Sequence, residues 1–361
     1  MHVVADITHS NCGEDANQGT STAVLKSDLQ LDVLKISPSS MSNKTRDFNS
    51  KLQQLEAKCP KWYHIGAAEY RWLRKAGCTP LPGAALVPSA STISVPSRDA
   101  DRSIQCRVLR PKDTSTQPRG IFLHIHGGGW VLNDEESSDS YLETIANTCQ
   151  LICCSVGYRL APEHPYPAGP DDCLDVAQWL INHGPERYGT ELAFVGGESA
   201  GANLAMLTAL SLLQSPVESY ANFRLKGLLL HYGVYALNWQ PGTMHFQKDP
   251  VLILDKESLT KFRGAYLPDG TAEDFVSPSI SPFYADLKAL PLPPMLTTCG
   301  TEDCLLEDSA FMTTRWVLAG GEACLKLFPG SPHGFIMFDP EMHENAGSAL
   351  RDVATFVDSR Y

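Results

Sequence analysis

The chain has 361 residues, 43% of them hydrophobic, which suffices for a large core in one domain with insertions. The formal net charge of −12 argues against a phosphate-binding surface, so we expect no nucleic-acid partner. Arg71, Arg74 and Lys75 come closest to a basic cluster and are interpreted as the solvated face of a helix. No segment has the roughly 20 apolar residues of a membrane span, so we expect no stable membrane insertion.

Eleven cysteines are scattered along the sequence, several of them inside apolar strand patterns such as 151–156. This usage is typical of buried free thiols in a reducing compartment. The first twenty residues also lack the apolar core of a signal peptide. We therefore expect a cytoplasmic protein, while the oligomeric state stays open, with a homodimer as one alternative. His124 and His126 point to one strand face without an evident third ligand, so no metal site is expected.

The N-terminal region changes character near residue 46. Residues 1–45 are polar and predict an irregular arm, although 23–36 contains enough apolar residues to form a strand or to pack locally. Residues 48–76 follow a helical pattern that Pro60 interrupts. These helices either pack on the core or form part of a lid. Their many aromatic residues favour the lid, and we name 48–76 the first cap segment.

Strand-like and helical segments alternate from residue 103 to the end of the chain. The alternation predicts an α/β fold over residues 46–361, with a mostly parallel central sheet and helices on both faces. Residues 235–279 interrupt the alternation and are named the second cap segment. The predicted strands are 104–109, 121–126, 151–158, 192–196, 225–232, 294–300 and 324–328, and the predicted helices are 171–183, 200–214, 310–318 and 341–357.

A triple glycine directly follows the predicted strand 121–126. Such a loop exposes backbone N–H groups, and donors fixed where negative charge develops in acyl transfer can each contribute roughly 3 kcal/mol of transition-state stabilisation. We assign this oxyanion-binding role to the N–H groups of Gly128, Gly129 and Ala200, with Gly127 allowing the turn. The alternative is a flexible glycine loop without chemistry.

Residues 197–201 have the sequence G-x-S-x-G between a predicted strand and a helical run. Glycine two residues before and after the serine permits a sharp turn that holds the serine in a strained conformation above the sheet. The free N–H groups of the following helix favour developing negative charge there. Ser199 is therefore the predicted nucleophile.

The strand 294–300 delivers several carboxylates at its C-terminal end, the edge where catalytic groups of open α/β sheets collect. Asp303 is the preferred acid because it leaves the strand first, and Glu302, Glu307 and Asp308 are competitors. For Asp308 the simpler interpretation is an N-cap of the helix 310–318.

His333 is the predicted general base, since it lies in a glycine-bounded loop after the last predicted strand. The resulting order is Ser, Asp, His. That order is the one expected of an α/β-hydrolase triad, in which the histidine takes the serine proton and the aspartate fixes its tautomer.

These motifs together resemble the hormone-sensitive-lipase-like branch of the α/β-hydrolase superfamily. The match runs from about residue 103 to the C-terminus and includes His126–Trp130, Tyr158–Glu163, the Ser199 turn, the Asp303 loop and His333–Phe335. The resemblance implies that Tyr158–Glu163 is a structural loop, with Glu163 and His164 in polar contacts, and that the two cap segments cover the substrate. Larger groups of the family carry Asp or Thr where this chain has Glu198.

The leading hypothesis is a serine carboxylesterase that acts through an acyl-enzyme on a small-molecule ester and needs no cofactor. Trp130 and Glu198 are expected in the substrate pocket, which favours a short or medium acyl ester or a compact natural-product ester. One alternative is a non-hydrolytic reaction at the same site, such as acyl transfer, elimination or cyclisation. Another is a small-ligand receptor like the plant gibberellin receptors, which lack the catalytic histidine.

Overall fold

The computed structural model describes residues 30–83 and 85–361. Eight strands form one sheet in the order β1-β2-β4-β3-β5-β6-β7-β8. The strands are β1 (Ser91–Pro96), β2 (Ser103–Leu109), β3 (Gly120–Ile125), β4 (Leu151–Val156), β5 (Leu192–Glu198), β6 (Gly227–His231), β7 (Met295–Glu302) and β8 (Ala323–Pro332).

Strand pairing confirms the predicted mostly parallel sheet. β1 pairs antiparallel with β2, and β2 pairs antiparallel with β4. All pairs from β4 across to β8 are parallel. The expectation that strands begin at residue 103 is wrong, because β1 precedes it. This edge strand is mostly solvent-exposed, with Val95 as its one buried residue, and so lacks an apolar run in the sequence.

Helices cover both faces of the sheet, as predicted. Leu123 packs on the face covered by α6 and α7, and its neighbour Phe122 packs on the face covered by α5 and α12. The helices are α1 (Val33–Ile36), α2 (Asn43–Glu56), α3 (Trp62–Ile65), α4 (Ala67–Lys75), α5 (Asp139–Cys149), α6 (Ala168–Tyr188), α7 (Ala200–Leu213), α8 (Glu218–Ala221), α9 (Pro241–His245), α10 (Lys256–Tyr266), α11 (Leu306–Leu318) and α12 (Glu344–Asp358).

The predicted arm lies largely outside the described residues, which begin at residue 30. Within the described part, residues 33–36 form one helical turn, α1, where a strand was one expectation. The Asp32 carboxylate accepts a hydrogen bond from the Leu34 N–H and so starts the helix. Among residues 30–83 and 85–361, no helix is both long enough and apolar enough to cross a membrane.

The two predicted cap segments contact each other although they are far apart in sequence. The first contains α3, α4 and most of α2, with Pro60 in the break between α2 and α3. The second contains α9 and α10, between β6 and β7. The Trp62 ring stacks on Phe262 with centroids 5.0 Å apart, and Gln53 Nε2 donates to the Pro250 carbonyl at 2.7 Å. Both segments therefore lie on the same side of the molecule.

The start of α7 lies so close to β3 that only glycine fits at position 201. A Cβ atom on Gly201 would lie 1.9 Å from the Ile125 carbonyl oxygen. We expect Gly201→Ala to lower the free energy of unfolding by about 3 kcal/mol or more, because backbone must move to relieve the overlap. Urea unfolding followed by circular dichroism measures the change.

The matched control is Gly264→Ala in α10, where an added Cβ meets no atom within 4 Å. That substitution should be neutral or stabilise by about 0.5 kcal/mol, since alanine favours a helix more than glycine does. Equal stabilities for the two variants would contradict the proposed close approach.

Candidate active site

Ser199 lies at the turn from β5 into α7 with an unusual backbone conformation, φ 57° and ψ −120°. A non-glycine residue with positive φ is strained and persists only where its surroundings fix it. Here the Ser199 N–H donates to the His231 carbonyl on the neighbouring β6 at 2.9 Å. The sequence pattern G-x-S-x-G thus corresponds to a strained strand-to-helix turn.

A continuous chain of hydrogen bonds joins Ser199, His333 and Asp303. His333 Nε2 lies 2.9 Å from Ser199 Oγ, and His333 Nδ1 lies 2.8 Å from Asp303 Oδ2. The other carboxylate oxygen of Asp303 accepts the Leu305 N–H at 2.9 Å. Because a carboxylate accepts, Nδ1 carries the proton and Nε2 is free to accept the serine hydroxyl proton. Asp303 and His333 are both buried.

The competing carboxylates all bind elsewhere. Glu302 forms an ion pair with Lys248, and Glu307 accepts the Gly242 N–H at 2.7 Å. Asp308 Oδ1 accepts the N–H groups of residues 235 and 236 at 2.8 and 3.0 Å. The interpretation of Asp308 as an N-cap is wrong, because α11 begins earlier, at Leu306, and Asp308 lies within its first turn.

The glycine loop after β3 lines the same cavity as Ser199. Gly128 and Gly129 have positive φ angles of 113° and 62°, a conformation that glycine adopts without strain. Within the described part of the chain, the N–H groups of Gly128, Gly129 and Ala200 donate to no protein acceptor. These three donors are therefore available to a ligand at Ser199 Oγ.

Glu198 lines the cavity, but its carboxylate is bound on both oxygens by the protein. Oε1 accepts the Gly127 N–H at 3.0 Å and the Ser138 hydroxyl at 3.3 Å, and Oε2 lies 2.8 Å from His124 Nε2. Burial by itself would raise the pKa of Glu198, but the charge of His124 and the hydrogen bonds from His124 and Gly127 lower it to about 2. An ionised carboxylate therefore connects the end of β5, just before Ser199, to the glycine loop.

Trp130 also lines the cavity and is almost fully buried. Its ring stacks on Tyr266 of α10 with centroids 4.6 Å apart, and its carbonyl accepts the Ala161 N–H at 2.9 Å. It thereby links the glycine loop to the second cap segment and to the segment Tyr158–Glu163.

The segment Tyr158–Glu163 supports the glycine loop, as the family resemblance implies. The Tyr158 hydroxyl donates to the His126 carbonyl at 2.9 Å. Arg71 of α4 donates to both carboxylate oxygens of Glu163, at 2.9 and 2.8 Å. The His164 side chain is exposed and forms no hydrogen bond with the described residues. The hydrogen bond from Arg71 lowers the pKa of Glu163, and the charge of His164 adds to that effect.

The interpretation of Arg71 and Arg74 as a solvated helix face is wrong. Arg71 reaches inward to the Val131 carbonyl as well as to Glu163. Arg74 is partly buried and lines the cavity above Ser199. Lys75 alone follows the expectation, since most of its side chain is exposed. The sequence does not predict this placement, because the apolar face of so short a helix does not determine which of its sides faces the cavity.

The cavity has a volume of about 490 Å³ and combines the predicted catalytic residues with residues of the two cap segments. Its floor contains Ser199, His333 and the glycine loop, and its walls include Trp62 and Phe262 from the two cap segments. No group of three or more His, Cys, Asp or Glu residues among residues 30–83 and 85–361 could hold a metal ion. His126 Nδ1 lies 2.8 Å from the Gly127 carbonyl, and burial lowers the pKa of this imidazole to about 4.

Comparison with known proteins supplies an independent line of evidence. Residues 122–337 match a family model described as alpha/beta hydrolase fold. An esterase of Acinetobacter venetianus is 30% identical over 275 residues, which cover 76% of this chain and 85% of the relative. The carboxylesterase NlhH of Mycobacterium tuberculosis is 31% identical over 228 residues, covering 60% of this chain and 67% of the relative.

Similarity extends to solved structures. A hyperthermophilic esterase from Pyrobaculum calidifontis superposes with a TM-score of 0.74 at 28% sequence identity. The superposition covers 87% of this chain and 97% of that one. The parallel sheet and its flanking helices are thus shared along nearly the whole described chain.

The buried carboxyl group of Asp308, near the site, is expected to have a raised pKa, and this can be tested. Burial raises its pKa from 3.8 to about 7, despite two backbone hydrogen bonds to the carboxylate. The folded state then binds a proton more tightly than the unfolded state does, so the stability of the wild type falls as pH rises between these two values. Relative to wild type, Asp308→Asn should gain on the order of 2 kcal/mol in unfolding free energy from about pH 5 to pH 8.

Urea titrations at several pH values measure that difference, with the exposed Asp269→Asn as the matched control. A difference between Asp308→Asn and wild type that stays constant with pH would show that Asp308 does not titrate in this range.

Proposed function

The chain belongs to the hormone-sensitive-lipase-like branch of the α/β-hydrolase superfamily and is a carboxylic ester hydrolase, and on this premise we propose that it acts through an acyl-enzyme formed on Ser199. The observation that carries the proposal is the chain of hydrogen bonds from Ser199 Oγ through His333 to Asp303. This geometry allows a neutral imidazole to remove the serine proton while a buried carboxylate stabilises the resulting imidazolium.

In the first half of the reaction, Ser199 Oγ attacks the ester carbonyl as His333 Nε2 takes its proton. The N–H groups of Gly128, Gly129 and Ala200, which have no acceptor in the described structure, bind the oxyanion that forms. His333 then returns the proton to the departing alcohol. An acyl group remains on Ser199.

In the second half, His333 removes a proton from a water molecule that attacks the acyl carbonyl. The same three donors bind the second oxyanion, and its collapse releases the carboxylic acid. The proton goes from His333 back to Ser199 Oγ, which restores the free enzyme. The residues required for both halves belong to this chain, so the proposed cycle uses no cofactor.

The cavity supports a compact substrate. Its volume of about 490 Å³ and its lining by Trp62, Tyr63 and Phe262 favour a short or medium acyl ester, or a small natural-product ester, over a long-chain triglyceride. Trp62 and Phe262 are in contact, which supports the proposal that the two cap segments together cover the acyl and alcohol sites.

We also propose that the protein functions in the cytoplasm. All cysteines among the described residues are free thiols, and the buried ones include Cys153, Cys154 and Cys299. Such thiols persist in a reducing compartment.

Substitution of the three proposed catalytic residues tests the mechanism. We expect Ser199→Ala, His333→Ala and Asp303→Asn each to lower kcat on p-nitrophenyl butyrate by about 10³-fold or more. Circular dichroism and thermal unfolding establish that each variant is folded. A burst of p-nitrophenol equal to the enzyme concentration, seen in wild type and absent from Ser199→Ala, would identify the acyl-enzyme.

Glu302→Gln is the matched control, because Glu302 neighbours Asp303 but forms an ion pair with Lys248. It should retain wild-type kcat within about threefold. Unchanged turnover in folded Ser199→Ala would overturn the mechanism, and a deep loss in Glu302→Gln would reassign the acid.

Glu198 is proposed to position the glycine loop through Gly127. Glu198→Ala removes the acceptor of the Gly127 N–H, so we expect kcat to fall about tenfold or more with little change in KM. Glu198→Gln can keep an acceptor at Gly127 and a polar group opposite His124 Nε2, so it should retain most activity. Steady-state kinetics on the same ester compare the two variants. Equal losses in both would mean that the charge, and not the hydrogen bond, matters.

A further inference from the structure

Arg74 differs from its basic neighbours on α4, because it has no hydrogen-bond or ion-pair partner among residues 30–83 and 85–361. Arg71 is bound to Glu163, and Lys75 forms an ion pair with Asp134. The Arg74 guanidinium makes no hydrogen bond or ion pair with any described residue, although it is partly buried. It lines the cavity that contains Ser199 and also borders a second cavity of about 350 Å³.

The other charged side chains that line the main cavity, apart from the proposed base His333, already have polar partners. Within the described lining, therefore, Arg74 is the charged group left without one. The partnered groups are Glu56 with Lys61 at 2.7 Å, Glu143 with Lys112 at 2.8 Å, Glu198 with His124 at 2.8 Å, and Asp339, whose carboxylate accepts the Glu341 N–H at 2.7 Å.

The Arg74 guanidinium is left to cavity water or to a bound anion, because no acceptor of the described residues pairs with it. Burial lowers the pKa of Arg74, and electrostatic interactions with Tyr70 first, and then with the carboxylates of Glu198 and Glu56, oppose that effect. The group still remains protonated, since its ordinary pKa lies far above neutrality. Its fork of N–H donors matches the two oxygens of a carboxylate.

We propose that the natural ester carries an ionised carboxylate, separate from the scissile ester, which binds the Arg74 guanidinium. This inference rests on the proposed esterase function and narrows its substrate class. Arg74 carries a single positive charge, which suits a carboxylate better than a doubly charged phosphate. The net charge of −12 repels anions in general, so a preference for an anionic ester has to come from a local group.

Pairs of esters that differ only in this charge test the inference. On the acyl side, the mono-p-nitrophenyl esters of adipic and suberic acid are compared with their carboxamide-ended counterparts. On the alcohol side, 4-acetoxybenzoate is compared with 4-acetoxybenzamide. In at least one pair we expect wild type to favour the carboxylate about fivefold or more in kcat/KM, after subtraction of spontaneous hydrolysis.

The ratio of kcat/KM for the charged ester to that for the neutral ester should fall about 30-fold in Arg74→Met. Arg74→Lys should keep part of the preference, because it keeps the charge but loses the fork. Lys75→Met is the matched control, since it removes one positive charge from the same helix outside the main cavity, and it should keep the wild-type ratio. Free adipate or 4-hydroxybenzoate, matching the preferred pair, should also inhibit wild type more strongly than Arg74→Met.

Two results would overturn the inference and leave the esterase function intact. One is turnover of neutral and charged esters by wild type without a preference for the carboxylate. The other is a preference that survives in Arg74→Met. Failure of wild type to hydrolyse any of these esters would instead overturn the proposed function, and this inference with it.

Discussion

The strained backbone at Ser199 is the constraint on which the site depends. A residue with φ 57° and ψ −120° cannot stay in that state without tight packing, and the packing here is between backbones. An added Cβ on Gly197 or Gly201 would lie 2.0 or 1.9 Å from the Ile125 carbonyl oxygen. The turn is therefore pressed against the end of β3. The same contact fixes the start of the glycine loop, since that loop leaves β3 at the next residues.

A buried carboxylate adds a second connection at this junction. Glu198 is the last residue of β5, and its carboxylate bonds to His124 of the neighbouring β3 and to Gly127 just after that strand. Ser199 and the glycine loop thus share a common support at the ends of β5 and β3. His333 and Asp303 come from β8 and β7 at the other side of the nucleophile strand, where parallel strands end at one edge.

Much of this arrangement could be predicted because it is encoded locally. Buried strands have apolar runs, and Ser199, Asp303 and His333 each follow such a run, so a parallel sheet brings them to one edge. Features set by tertiary contacts were missed. β1 is an exposed edge strand without an apolar run. The sequence pattern places the start of α11 too late and therefore predicts Asp308 as its cap. Arg74 lies on a short helix, where a basic residue is expected at the surface. Arg74 lacks a partner because the nearby carboxylates bind other residues, and a local sequence pattern cannot predict such pairings.

The contact of Phe262 with Gly129 limits how independently the cap and the catalytic loop can change. A Cβ on Gly129 would lie 2.3 Å from the Phe262 ring, so this aromatic side chain rests directly on the loop. At this point a larger or smaller side chain would shift the loop itself. Libraries that aim to change which esters are accepted should therefore vary the cap walls around a fixed residue 262, because diversity at that position alters turnover and selectivity together.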